Sequence, residues 1–271
     1  MLPSKMPSSV AVKSTVRSVL KGRWLLSATV GLLPVFCYYF FSLVIALVSE
    51  LTDAHNLLLT ALLLLAAVFV ILPLFYGVLR WFWRITDGTE DDLTSAFYYF
   101  ANARLYKRVI KLTLVLAFKI GVIFFLCLIP FFAISLFSRF LVYDIVQDVL
   151  PVWAINITAF KSLFYTFGTL LAIIISFRYY LVPIIAVMDD NLLILEAVHL
   201  STTVSKKSFS SLLSLVSSNL GWIVASLLVL PLIYTAPFLM GCYVVHSRFA
   251  MVNYNLNVEF YEKNRFSGVT L

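Results

Sequence analysis

Charged side chains are scarce in this chain: Asp, Glu, Lys and Arg make up 12% of its 271 residues, and the mean hydropathy is +0.99. A soluble domain carries about 25% charged residues, so these charges are too few to coat a water-facing surface. That excludes a soluble globular enzyme and a disordered chain. Cysteine is nearly absent: Cys37, Cys127 and Cys242 all fall inside apolar runs. An odd number with no C-x-x-C spacing excludes a secreted disulfide scaffold and gives no metal-ligand set. No nucleophile elbow, P-loop, H-E-x-x-H or dinucleotide fingerprint occurs, so no enzyme, catalytic residue, metal or cofactor is expected.

What the chain has instead is length without charge. Uncharged runs cover residues 24–49 and 57–79, with an acidic turn at Glu50, Asp53 and His55 between them. A third span is read at about 109–138, interrupted by Lys111 and Lys119, and a fourth at about 162–188, interrupted by Arg178. An outer loop with Asp144, Asp148 and Pro151 separates these two. Residues 208–245 contain no Asp, Glu, Lys or Arg. As one helix this stretch would be about 57 Å long, nearly twice a hydrocarbon core of about 30 Å. A turn is therefore expected at Pro231 and Pro237, giving spans at about 209–230 and 232–252. The first run is long enough to remain as a spanning helix rather than a cleaved leader.

The basic residues set the orientation. Lys plus Arg number 20 against 13 acids, and 17 of the 20 fall on the side that holds both termini in a six-span arrangement. Cytoplasmic loops collect Lys and Arg, so both termini are expected in the cytoplasm. The same scatter in small groups between apolar runs speaks against nucleic acid, whose binders gather basic residues on one face or in arms.

Each expected hairpin follows a short amphipathic segment with a basic cluster. Val12, Val16, Val19 and Leu20 accompany Lys21 and Arg23; Phe97, Phe100, Ala101, Leu105 and Val109 accompany Lys107 and Arg108; Leu193, Ala197, Leu200 and Val204 accompany Lys206 and Lys207. Spacings of three and four put each apolar set on one helical stripe, the pattern of a helix lying in the cytoplasmic interface. Thr89 and Asp92 have capping-box spacing before the second, and Asp190 or Asn191 offers a cap before the third. The expected fold is all-α: a polytopic membrane protein with six transmembrane helices as three hairpins, each preceded by an amphipathic helix. The three pseudo-repeats are residues 10–86, 89–188 and 191–253, followed by a cytoplasmic tail at 254–271.

Three short motifs, Leu20-Lys21-Gly22-Arg23-Trp24, Glu196-Ala197-Val198-His199-Leu200-Ser201 and Gly221-Trp222, resemble landmarks of a bacterial integral-membrane family, domain of unknown function 975. The sequence departs from that pattern at Leu193, where a capping Ser is usual, and at Lys207, near a usual Gly. The resemblance implies a multi-pass protein of a bacterial cytoplasmic membrane and implies no activity.

An ionisable group inside a span is a functional-site hypothesis by default. Arg80, Arg84, Lys119, Arg178, His246 and Arg248 recur at similar counted depth below the cytoplasmic boundary. Packed together, they would form a basic inner-leaflet cavity that binds or moves an anionic lipid or a small anion, Arg providing forked donors to phosphate. The competing reading is that these side chains snorkel to the interface without a ligand. The adjacent Asp189 and Asp190 are read as a turn, and Glu196 with His199 as too few ligands for zinc. Small-residue stripes at Ser210-Ser214-Ser218 and Ser217-Gly221-Ala225 suit close helix packing. They also leave open a homo-oligomer, or a role as scaffold or accessory subunit for another membrane protein.

Overall fold

The computed structural model describes residues 8–52, 61–62, 65–89, 92–145, 151–226 and 229–266. The expected acidic turn at Asp53 and His55, the loop around Asp148 and the end of the tail lie outside the described residues. The described chain is helical, and four of its helices are long and apolar enough to cross a membrane: Trp24–Val48, Val68–Thr86, Ala103–Ser138 and Ala159–Met188. It divides into two compact units, residues 1–112 with 181–271 and residues 113–180.

The first unit begins with α1, Ser9–Leu20, capped by the Ser8 hydroxyl, which accepts from the Ala11 amide at 3.3 Å. Its apolar stripe, Val12, Val16 and Leu20, is fully buried. Val16 packs against Gly241 so closely that an added Cβ there would meet it at 2.7 Å. The stripe expected to face lipid therefore faces protein. Gly22, with φ of +80°, breaks the chain before α2, Trp24–Thr52; only glycine adopts that backbone without strain. After a π-helical turn at Ala67–Ile71 comes α3, Leu72–Thr86, with Leu74, Val78, Leu79, Trp81 and Phe82 buried. Burial on almost every face identifies α3 as the core helix of this unit.

A 3-10 turn, Leu93–Phe97, and one α-turn, Tyr98–Ala101, lie directly on α3. The 3-10 turn starts from Asp92, whose carboxylate accepts from the Leu93 amide at 2.8 Å. The expected cap Thr89 instead donates its hydroxyl to the Arg84 carbonyl at 2.7 Å. Gly77 makes the close approach to α3 possible, because a Cβ there would stand 1.8 Å from the Ala96 carbonyl oxygen. Replacement Gly77→Ala is expected to force the 93–97 segment off α3 and to cost about 1–3 kcal/mol, the usual penalty of overpacking. A lowered midpoint of thermal unfolding is the expected readout; an unchanged midpoint would show that the segment gives way without loss.

Residues 191–253, expected as a third repeat, differ from their sequence reading in two places. The expected third interfacial helix and the start of the fifth span form one continuous helix, since neither Lys206 nor Lys207 breaks it. The break falls at Asn219, after which a short helix, Leu220–Ala225, leads to Val229–Phe266. Pro231 and Pro237 therefore both fall within the final helix and mark no turn. Pro231 sits in the first turn of the final helix, where no amide donor is required. Pro237 lies inside that helix, its backbone nitrogen against Gly31.

The final helix also takes an unexpected path. Its Tyr234 stacks on Trp24 at 4.4 Å, Pro237 meets Gly31, and Arg248 pairs with Asp87. Trp24 and Asp87 stand at the same end of the α2–α3 hairpin, because Gly31 on α2 lies beside Phe82 on α3. Fourteen residues separate Tyr234 from Arg248, about 21 Å of helix. The helix thus crosses that end of the hairpin instead of running alongside it.

The second unit holds most of α4, Ala103–Ile145, together with α5, Pro151–Ser176, and a 3-10 turn at Phe177–Tyr179. Gly168 lies against the Cys127 carbonyl, and Phe131 meets Tyr165 edge to face at 5.3 Å. Both contacts fit one antiparallel register, and the same register brings Lys119 level with Phe177, one residue from Arg178. The second unit is followed by α6, Val182–Met188, and α7, Ile194–Ser218, which belong to the first unit.

Candidate anion-binding cleft

The first turns of α4 carry Arg104, Lys107, Arg108 and Lys111 at spacings of three and four, which line up on one helical stripe. Asn102 starts this helix by accepting from the Arg104 amide at 2.9 Å. Opposite the stripe runs the segment 189–194 between α6 and α7. Asp189 shapes it by accepting from the Asn191 amide at 2.8 Å, and Glu196 begins α7 by accepting from the Leu193 amide at 3.4 Å. Between stripe and segment opens a cleft of about 310 Å³, lined by the four basic residues and by residues 190–194.

Arg108 joins the two walls. Its Nη2 donates to the carbonyl oxygens of Asp189 at 2.7 Å and Leu192 at 2.8 Å, and its Nη1 to that of Ala186 at 3.4 Å. The fork shape of a guanidinium is what allows one side chain to hold several carbonyls at once. Among the described residues the only carboxylate lining the cleft is Asp190, and it is already engaged. Its Oδ2 accepts from Arg80 Nη1 and from the Tyr98 hydroxyl, both at 2.9 Å, while Arg108 Nη1 stands 3.7 Å from Oδ1. The Arg80 guanidinium also lies over the Tyr98 ring, 3.6 Å from its centre, adding a cation–π contact.

The tyrosines respond to this burial. The phenol of Tyr98 is raised above its ordinary value, first by burial and then by its hydrogen bond to Asp190. The phenol of Tyr99 is raised further by its deeper burial. Both therefore stay protonated at neutral pH, and Tyr98 remains a donor to Asp190. The Arg80 and Asp190 side chains keep 19% and 23% of their surface exposed, so the pair is partly solvated and its charge-assisted bonds act mainly as positioning contacts.

The six residues expected at the site fall in different places. Arg80 reaches the cleft through Asp190, and Arg84 stands half-buried one turn further along α3. Arg248 pairs with Asp87 and lies over the Trp83 ring. His246 is buried, with Nε2 3.0 Å from the Ser211 hydroxyl. In the first unit the structure thus gives Arg80, Arg248 and His246 three separate partners among the described residues: Asp190, Asp87 and Ser211. Lys119 and Arg178 belong to the second unit, at a shared level of its hairpin. Sequence reasoning missed Tyr98, Asp190 and the four-residue basic stripe as site residues. Asp190 does not cap α7, since Leu193 occupies that position. The stripe was visible as spacing, but its members count equally well as an orientation signal.

A second groove of about 430 Å³, lined by Trp24, Leu25, Ala28, Ile233 and Tyr234, offers almost no polar atoms. No family model, curated protein or solved structure matches the chain, so the functional argument rests on its own residues.

Proposed function

We propose that this is a multi-pass protein of a bacterial cytoplasmic membrane, with both termini cytoplasmic, that binds an anionic lipid headgroup or a small anion. It holds the ligand, or passes it on, in the cleft between the start of α4 and the segment 189–194. The observation that carries this reading is the charge balance: among the described residues four cations line the cleft, and the single carboxylate there already belongs to Arg80 and Tyr98. The positive-inside pattern supports a cytoplasmic position for the stripe, where anionic headgroups gather. The resemblance to domain of unknown function 975 agrees with this setting and adds no chemistry. No catalytic step is assigned. The test is titration of short-chain phosphatidic acid into the protein in phosphatidylcholine nanodiscs: binding that weakens steeply with salt supports the reading, and no binding overturns it.

The six-span, three-repeat count competes here with a four-span count in which α7 and the final helix lie in the cytoplasmic interface. The crossing of the final helix over the end of the α2–α3 hairpin favours four. A single cysteine at Ser226, in a background without Cys37, Cys127 and Cys242, separates them by labelling with an impermeant maleimide. Labelling only in inverted vesicles is the expected result; labelling of intact cells would restore six spans.

A second reading, a non-catalytic scaffold or accessory subunit, is favoured by the third candidate span, Ala103–Ser138. No residue of its most apolar window is buried within the chain. That face is open to a partner helix as well as to lipid. A stoichiometric membrane protein that co-purifies through repeated extractions would mark this role.

A further inference from the structure

We infer that the cleft is matched to a group carrying several negative charges, a pyrophosphate or bisphosphate, in preference to a singly charged phosphodiester. This rests on the reading above that the cleft takes a phosphate-bearing anion. Arg108 is committed to the wall, and Asp190 balances Arg80. Arg104, Lys107 and Lys111 remain, all exposed, and among the described residues no carboxylate pairs with them. From Arg104 to Lys111 the stripe runs seven residues, about 10 Å along the helix.

Three like charges at spacings of three and four repel one another. One monoanionic phosphate placed among them leaves two charges uncompensated. A pyrophosphate can set one phosphate against the Arg104 guanidinium, which forks across two oxygens, and its second against the ammonium groups of Lys107 and Lys111. The volume of about 310 Å³ exceeds what one phosphate fills and lies at the lower end of ordinary ligand pockets. The same group can come from a soluble diphosphate or from an isoprenoid lipid diphosphate, since the cleft recognises only the headgroup.

The experiment uses the full chain in phosphatidylcholine nanodiscs at fixed ionic strength, titrated calorimetrically with inorganic pyrophosphate, inorganic phosphate and farnesyl pyrophosphate. At neutral pH inorganic phosphate carries between one and two negative charges and pyrophosphate about three, so the one to two further charges neutralised predict pyrophosphate binding about tenfold tighter than phosphate. In the variant Arg104→Gln with Lys111→Gln, which removes the ends of the stripe, that preference should fall to about threefold or less. Its thermal midpoint, expected to be unchanged because both side chains are exposed, serves as the folding control. If the midpoint falls, Lys107→Gln alone provides the comparison. Equal affinity of the wild type for phosphate and pyrophosphate overturns this inference and leaves the phosphate-binding reading standing. Binding of neither overturns both. Farnesyl pyrophosphate binding more tightly than pyrophosphate, and displaced by it, supports a lipid source; equal affinity of the two supports a soluble one.

Discussion

Neutralising the stripe, Arg104→Gln with Lys107→Gln and Lys111→Gln, is expected to weaken phosphatidic acid binding about a hundredfold while the protein still folds. Each basic residue near an anionic headgroup contributes about 1 kcal/mol. Three of them give about 3 kcal/mol, or roughly two powers of ten in affinity. The loss should be greatest at low ionic strength and should shrink as salt shortens the screening length. Folding should survive because none of the three has a carboxylate partner among the described residues, and all three side chains are exposed. Binding measured across a salt series, beside thermal unfolding of each variant, checks both halves of this expectation. A loss of only twofold would mean that the three charges act as an orientation signal and no more.

The second large effect concerns stability. Arg108→Gln is expected to destabilise the first unit by about 2–3 kcal/mol, because hydrogen bonds from a charged donor contribute about 1.5–3 kcal/mol and solvent reaches part of this site. Gln reaches less far than Arg and cannot serve the Asp189 and Leu192 carbonyls together as the forked guanidinium does. Arg108→Lys should be nearly as damaging, since an ammonium on a flexible stem keeps the charge but loses the fork. Denaturant or thermal unfolding of the two variants in nanodiscs decides the point. Full stability in Arg108→Lys would show that charge alone holds segment 189–194.

Much of the architecture could be read along the chain because its signals are local. The first uncharged run, residues 24–49, marks α2, whereas the second was read as ending at residue 79 and α3 continues past Arg80 and Arg84 to Thr86. The 3-10 turn at Phe177–Tyr179 falls where Arg178 interrupts the fourth run. Residues 191–253 were harder: a proline marks a turn only where its missing donor matters, and Pro231 stands in a first turn where it does not. Nor could an apolar stripe tell lipid from protein, so Val12, Val16 and Leu20 suited either environment until their neighbour at Gly241 was known.

The site was less legible for a related reason. Counting residues from a membrane boundary selected Arg80, but depth along one helix does not reveal a carboxylate 110 positions away. Asp190 looked like part of a turn because Asp189 is one, accepting from the Asn191 amide. Its pairing with Arg80 and Tyr98 depends on Gly77 admitting the 93–97 segment onto α3, a contact between backbones that carries no periodic signature. Arg248 and His246 matched Arg80 in counted depth only, since the final helix crosses the hairpin at an angle and carries them to other partners.

The most direct test of the proposed anion binding is native mass spectrometry of protein extracted with its surrounding lipid into nanodiscs, wild type beside the variant lacking Arg104, Lys107 and Lys111. An anionic lipid or a phosphate-bearing small molecule retained by the wild type and absent from the variant is the predicted result. An identical ligand profile in both, with the variant folded, would contradict it.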